Sequence, residues 1–153
     1  MGYRPFSSIV TNAKNLIVLD NSVVMRWFFS DGSVDDIKYA SDVLGYVKRT
    51  KSVLVVPSLW MSESSFVSNF YVKRKSIEHD AVTKKLSEAF NLFSIVECHF
   101  SAVELFKFSQ EFNISSYDAN YALLAKKLNS PLSTIDKKLR KVMVKSGGLV
   151  LEF

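Results

Sequence analysis

The sequence predicts an α/β domain in which a mostly parallel sheet is sandwiched between helices, a three-layer α/β/α arrangement. Three observations predict it. Short, wholly apolar runs such as residues 16–19 and 53–56 read as strands buried on both faces. Helical periodicity fills the stretches between such runs, so strands and helices alternate along the chain. Glycine and proline are scarce, five and three residues among 153, which favours continuous helices over a turn-rich sandwich.

The elements follow in order. Leu16-Ile17-Val18-Leu19 is a strand that ends at Asp20. Residues 22–29 read as a helix closed by the turn pair Asp31-Gly32. Helical spacing resumes over 35–48, and Val53-Leu54-Val55-Val56 is a second strand. Pro57-Ser58 then resembles a helix start with Ser58 as the cap. Helices over 59–73 and 78–91 lead to a short strand at 94–96. A helix spans 102–112, and Ser115 or Ser116 caps another that runs through 128. A strand over 132–135, a helix over 136–145 and a final strand over 149–151, after Gly147-Gly148, complete the pattern. Residues 1–15 read as an N-terminal arm, and 16–153 as one domain with no repeat or linker.

Composition narrows the function. Apolar residues make up 48% of the chain, with twelve phenylalanines and six tyrosines, enough for a sizeable core. The lone Cys98 excludes an internal disulfide and cannot build a zinc site by itself. No run approaches the ~20 apolar residues of a membrane span, and the first residues do not resemble a signal peptide. The expectation is a cytoplasmic protein without a membrane anchor. The net charge of +5 favours a polyanionic partner.

Most of the fifteen acids fall in loops or on polar helix faces. Four do not. Asp20 and Asp136 each follow a strand, at the edge where open α/β sheets bind ligands. Each also precedes a helix, so capping is an equally good account of either alone. Glu63 shares a helical stripe with Leu59, Phe66 and Phe70, where a carboxylate loses hydration and needs a cation or donors to stay ionised. Asp118 stands in the first turn of its helix, in line with Tyr121, Ala122 and Ala125; the helix dipole alone welcomes an acid there. Together the four can point across one sheet edge. Converging carboxylates raise one another's pKa values, and a hard divalent cation removes the conflict, since oxygen donors suit Mg²⁺ or Mn²⁺. Ser22 and Thr134, each two residues from one of these acids, are candidate orienting donors.

At these residues the sequence resembles the PIN-domain ribonucleases, in particular VapC-type toxins of toxin–antitoxin pairs. The resemblance lies in residues 19–29, with Asp20-Asn21-Ser22 opening a helix; in Val56-Pro57-Ser58-Leu59-Trp60-Met61-Ser62-Glu63; and in Tyr117-Asp118-Ala119 followed by Ser133-Thr134-Ile135-Asp136. It implies that Asp20, Glu63, Asp118 and Asp136 form a Mg²⁺ or Mn²⁺ site, with Ser22 and Thr134 as helpers. It also implies an endoribonuclease that cuts RNA, inhibits translation, forms a homodimer and is restrained by a cognate antitoxin. Two features depart from the pattern. Many relatives carry Asn where this chain has Phe66, and relatives tend to begin almost at the first strand.

The chemistry expected is metal-assisted phosphodiester hydrolysis. His79 and His99 offer no catalytic pairing with a serine or with Cys98. Among the basic clusters, Lys137, Lys138, Arg140 and Lys141 directly follow Asp136 and best suit phosphate positioning, although a solvated basic face is the bland account. Trp27, Trp60 and Tyr117 can stack on bases or pack in the core. Two rivals stand beside this reading. One is a catalytically silent PIN fold acting as an RNA-binding or assembly module. The other is a phosphoacceptor receiver-type domain, disfavoured because Asn21 and Ser22 follow Asp20 and no lysine ends a later strand.

Overall fold

Strands β2 (Leu16–Leu19) and β3 (Val53–Pro57) lie parallel at the middle of a sheet, with Ile17 opposite Leu54. The computed structural model describes residues 2–4 and 15–153. Beyond β3 comes β4 (Ser94–Val96), and β1 (Gly2–Arg4) pairs with β4 at that margin. On the other side of β2 lies β5 (Leu132–Ser133). The order is β1-β4-β3-β2-β5 and every pairing is parallel. Of the expected N-terminal arm, Gly2–Arg4 therefore adds an edge strand, and residues 5–14 lie outside the described residues.

Side chains alternate across each strand, so one apolar run feeds two cores. Ile17, Leu19, Leu54, Val56 and Ile95 face one core, with α1 (Asn21–Phe29), α2 (Val34–Thr50), α3 (Trp60–Lys75) and α4 (His79–Leu92) packed on it. Val18, Val55 and Val96 face the other, covered by α5 (Ala102–Phe112), α6 (Ser116–Lys127) and α7 (Lys137–Lys145). This is the three-layer α/β/α sandwich that the apolar runs predict.

Local chemistry sets the helix ends. Ser33 and Ser101 each head a reciprocal capping box, with Asp36 and Glu104. At the Asp31-Gly32 turn, Gly32 has a φ of +104°, and a Cβ there would meet Arg26 Nη1 at 2.6 Å. Arg26 is held by Asp31 at 2.9 Å, and Tyr71 also donates its hydroxyl to Asp31, tying α3 to the end of α1.

Two expectations need correction. Ser58 is not the cap of α3: Leu59 holds that position without a side-chain cap, and the Leu59 carbonyl accepts from Ser62 and Glu63 instead. The final strand over 149–151 is reduced to one parallel bridge between Val150 and Leu132. Its backbone bonds, Leu132 N to Leu149 O and Leu151 N to Leu132 O, have no room to continue, because β5 itself is two residues long.

Chain direction now positions the site. From β2 the chain passes through α1 onto one face of the sheet, while from β5 it passes into α7 on the opposite face. β2 and β5 are neighbours. Loops leaving adjacent strands toward opposite faces open a crevice at their carboxyl ends, the usual place for a ligand in such sheets.

Candidate active site

Asp20 stands at that crevice. Its N–H donates to Ser133 O at 2.9 Å, which fixes it against β5. It occupies the N-cap position of α1, yet its side chain caps nothing. Oδ2 instead accepts from Ser22 Oγ at 2.5 Å and Thr134 Oγ1 at 2.7 Å. Capping therefore does not explain this acid. Burial pushes its pKa up, the two hydroxyls pull it down, and the charges of Asp118 and Asp136 push it up again.

Asp136 is different. It is exposed, and its Oδ1 caps α7 by accepting from Lys138 N at 2.7 Å and Leu139 N at 3.0 Å. Thr134 couples it to Asp20: the fully buried hydroxyl that donates to Asp20 also accepts from Asp136 N at 3.0 Å. Ser22 Oγ accepts from Ile135 N at 3.3 Å and lies 3.4 Å from Thr134 Oγ1. Both hydroxyls singled out from spacing therefore contact the Asp20 carboxylate directly.

Glu63 follows β3 in the first turn of α3. The stripe expected to bury it does not face the core. Phe66 is 77% exposed and Phe70 is 47% exposed, while Trp60, Ser64, Ser68 and Tyr71 are the buried residues. The serines of α3 let the helix approach its neighbours along that other face. Glu63 is half-buried for another reason: it stands in a cleft and accepts a hydrogen bond from Tyr121 at 2.5 Å. Desolvation pushes its pKa from an ordinary 4.5 to about 7; the Tyr121 hydroxyl opposes the rise, and Asp20 and Asp118 add to it.

Asp118 lies in the first turn of α6, whose N-cap is Ser115. Asp118 N donates to Ser115 Oγ at 3.0 Å, and that hydroxyl donates to Asp118 Oδ2 at 2.8 Å. Tyr121, three residues on, is buried beneath it, and its phenol pKa is pushed far up, by burial and then by the Glu63 charge. Spacing placed Tyr121 on the Asp118 face, but not its role as donor to Glu63, which depends on how α3 and α6 meet.

Asp20 thus feels the charge of Asp118 and of Asp136, and Glu63 that of Asp20 and of Asp118. None of the four acids takes part in the ion pairs seen among the described residues, such as Arg26–Asp31, Lys38–Asp42 and Lys84–Glu88. Each carboxylate has one oxygen engaged by the chain and a second with no hydrogen-bond partner among the described residues. Such an all-oxygen, unneutralised donor set suits a hard divalent cation. Charge coupling reaches further than shared ligation, and among the described residues no three His, Cys, Asp or Glu side chains form a ready-made metal cage.

The other candidates divide. Lys137, Lys138 and Lys141 are exposed beside Asp136. Arg140 turns to the body of the protein, with its guanidinium 4.6 Å from the Tyr39 ring centre and Nη2 donating to Leu151 O at 3.3 Å. Trp60 is buried, and Trp27 donates its indole N–H to Ala40 O at 2.7 Å, so both tryptophans serve the core. Tyr117 is 62% exposed. Burial lifts the Cys98 thiol to about 11, which leaves it unreactive near neutral pH. No helix among the described residues is long and apolar enough to cross a membrane.

Comparison with known proteins gives the same architecture. A family model described as the PIN domain matches residues 17–145. Among solved structures, PAE2754 from Pyrobaculum aerophilum superposes with a TM-score of 0.65 at 18% identity, over 84% of this chain and 79% of that one. VapBC2 from Rickettsia felis, bound to a DNA fragment from its promoter, superposes with a TM-score of 0.62 at 16% identity, over 90% and 97%. At such identities these likenesses speak for the fold. No curated protein matches the chain.

Proposed function

The chain belongs to the PIN-domain family, and from that premise we propose that it is a metal-dependent endoribonuclease acting as the toxin of a toxin–antitoxin pair. The observation that carries the reading is the set of carboxylates around Asp20: the charges of Asp118 and Asp136 bear on Asp20, those of Asp20 and Asp118 bear on Glu63, and among the described residues no lysine or arginine is paired to any of the four.

In this reading the second oxygens of the four carboxylates would hold Mg²⁺ or Mn²⁺. When bound, the ion supplies Lewis acidity toward a phosphate oxygen and toward water. The chain does the rest. Ser22 and Thr134 hold the Asp20 carboxylate in one orientation, and Tyr121 does the same for Glu63. Lys137 and Lys138, exposed beside Asp136, position the RNA backbone. Asp20 is withdrawn from water, which strengthens its interaction with any cation placed there.

RNA as substrate, translation as the target, a cognate antitoxin, a homodimer and a cytoplasmic setting complete the proposal. The likeness to VapBC2 supports the antitoxin, and the exposed Met61, Phe70, Phe90 and Leu92 of α3 and α4 supply apolar surface for protein contacts.

The test is cleavage of an RNA panel by purified protein with manganese, magnesium or chelator, beside Asp20→Asn and Asp118→Asn. Cleavage should need the ion and should fall at least a hundredfold in either variant. Cleavage that survives chelation or both substitutions overturns the reading. RNA bound but never cut would leave a silent RNA-binding module.

A further inference from the structure

An open cleft of about 560 Å³ lies beside the acids, lined by Asn21, Ser62, Glu63, Phe66, Val67 and Tyr117. Its size falls within the roughly 300–1,000 Å³ of clefts that hold small-molecule ligands. We propose that this cleft takes the unpaired base adjoining the scissile phosphate and stacks it on the exposed rings of Phe66 and Tyr117. The inference rests on the nuclease reading above and specifies what the substrate must offer.

Four observations carry it. First, Phe66 and Tyr117 are 77% and 62% exposed, and among the described residues neither ring packs on another. By contrast, Phe29 and Tyr71 stack at 3.8 Å and Trp60 meets Phe93 edge-on. Two large unpaired rings in one cleft are a stacking surface, and stacking is how unpaired bases are held with little regard to sequence.

Second, Glu63 lines the same cleft, so whatever fills it touches a residue of the acid rim. Third, Asn21 also lines it, is 8% exposed, and its Oδ1 is buried with no hydrogen-bond partner among the described residues. A buried amide oxygen left unpaired is costly. A base edge carries both donors and acceptors, and rotating the amide brings either of its ends to that edge. Fourth, among the described residues no lysine or arginine lines the cleft, whereas Lys137 and Lys138 stand exposed beside Asp136. That division suits a nucleotide, with its neutral ring in the cleft and its charged phosphate at the rim. A paired base keeps its faces inside the duplex, so the site selects single strands.

The test uses single-stranded RNA bearing 2-aminopurine, whose fluorescence is quenched on stacking. Binding is followed by anisotropy and quenching, with calcium in place of manganese to keep the strand intact. The unaltered protein should bind and quench. Phe66→Ala and Tyr117→Ala should each weaken binding roughly five- to a hundredfold and restore fluorescence, while Phe66→Trp should bind and quench. An RNA lacking the base at the stacked position should bind the unaltered protein and Phe66→Ala alike. Both rings are exposed, so melting temperatures should hold.

Outcomes separate the two claims. If RNA is bound and cut but neither alanine variant changes affinity or quenching, stacking is overturned while the nuclease reading stands. If quenching depends on Phe66 but no RNA is ever cut, stacking stands and hydrolysis falls. If RNA is not bound at all, both fall.

Discussion

The Tyr121 hydroxyl donates to Glu63 Oε2 at 2.5 Å, joining α6 to α3 across the wall of the cleft. The ring is buried and the carboxylate half-buried, so this bond keeps a partly desolvated Glu63 oriented and resists its protonation. Tyr121→Phe removes only the donor. The expected result is a loss of about 1.5–3 kcal/mol in stability, the usual worth of a hydrogen bond to a charged group. A severalfold weaker Mn²⁺ affinity by calorimetry should accompany it. An unchanged affinity would mean that Tyr121 does not support the ion site.

Asp20 is buried, and the charges of Asp118 and Asp136 bear on it. Asp20→Asn removes that repulsion while the amide oxygen can still accept from Ser22 and Thr134. The ion-free variant should therefore melt at or above the temperature of the unaltered protein, and added Mn²⁺ should no longer raise the melting point. This is the trade of stability for function expected at a charged site. A variant that melts lower without ion, yet still gains from Mn²⁺, contradicts the account.

Glu63 supplies the pH dependence. Its pKa is about 7 in the folded chain against an ordinary 4.5, so the folded state holds the proton more tightly than the unfolded state. Its contribution to the stability of ion-free protein is thus full below about 4.5 and is lost as pH rises through about 7. Urea midpoints at pH 5 and 7.5 should differ more for the unaltered protein than for Glu63→Gln. Equal differences would show that Glu63 does not titrate in this range.

Lys137 and Lys138 are exposed beside Asp136, and their role is tested by salt. If each contacts a phosphate, Lys137→Ala and Lys138→Ala should each reduce the slope of log affinity against log salt by about 0.7 on single-stranded RNA. Arg140→Ala should instead destabilise the fold, because its guanidinium lies over Tyr39 and bonds the Leu151 carbonyl. Slopes that do not change would place the RNA path elsewhere.

Much of this molecule is determined locally and is legible in the amino-acid sequence. A run such as Leu16–Leu19 has no polar face to turn to water, so it must be a strand covered on both sides. Serines followed three residues later by Asp36, Glu104 or Asp118 set where α2, α5 and α6 begin. The same adjacency put Ser22 and Thr134 near acids, and their hydroxyls do reach Asp20. What the tertiary structure decided were relations between elements distant in sequence. It separated Asp20, which caps nothing, from Asp136, which caps α7, although the two look alike in sequence. Packing turned Ser64 and Ser68 inward and Phe66 outward, because small side chains admit close helix contact where a phenyl ring does not. It also brought Tyr121 to Glu63 across 58 residues, a pairing set by how two helices dock on the sheet and not by any local spacing.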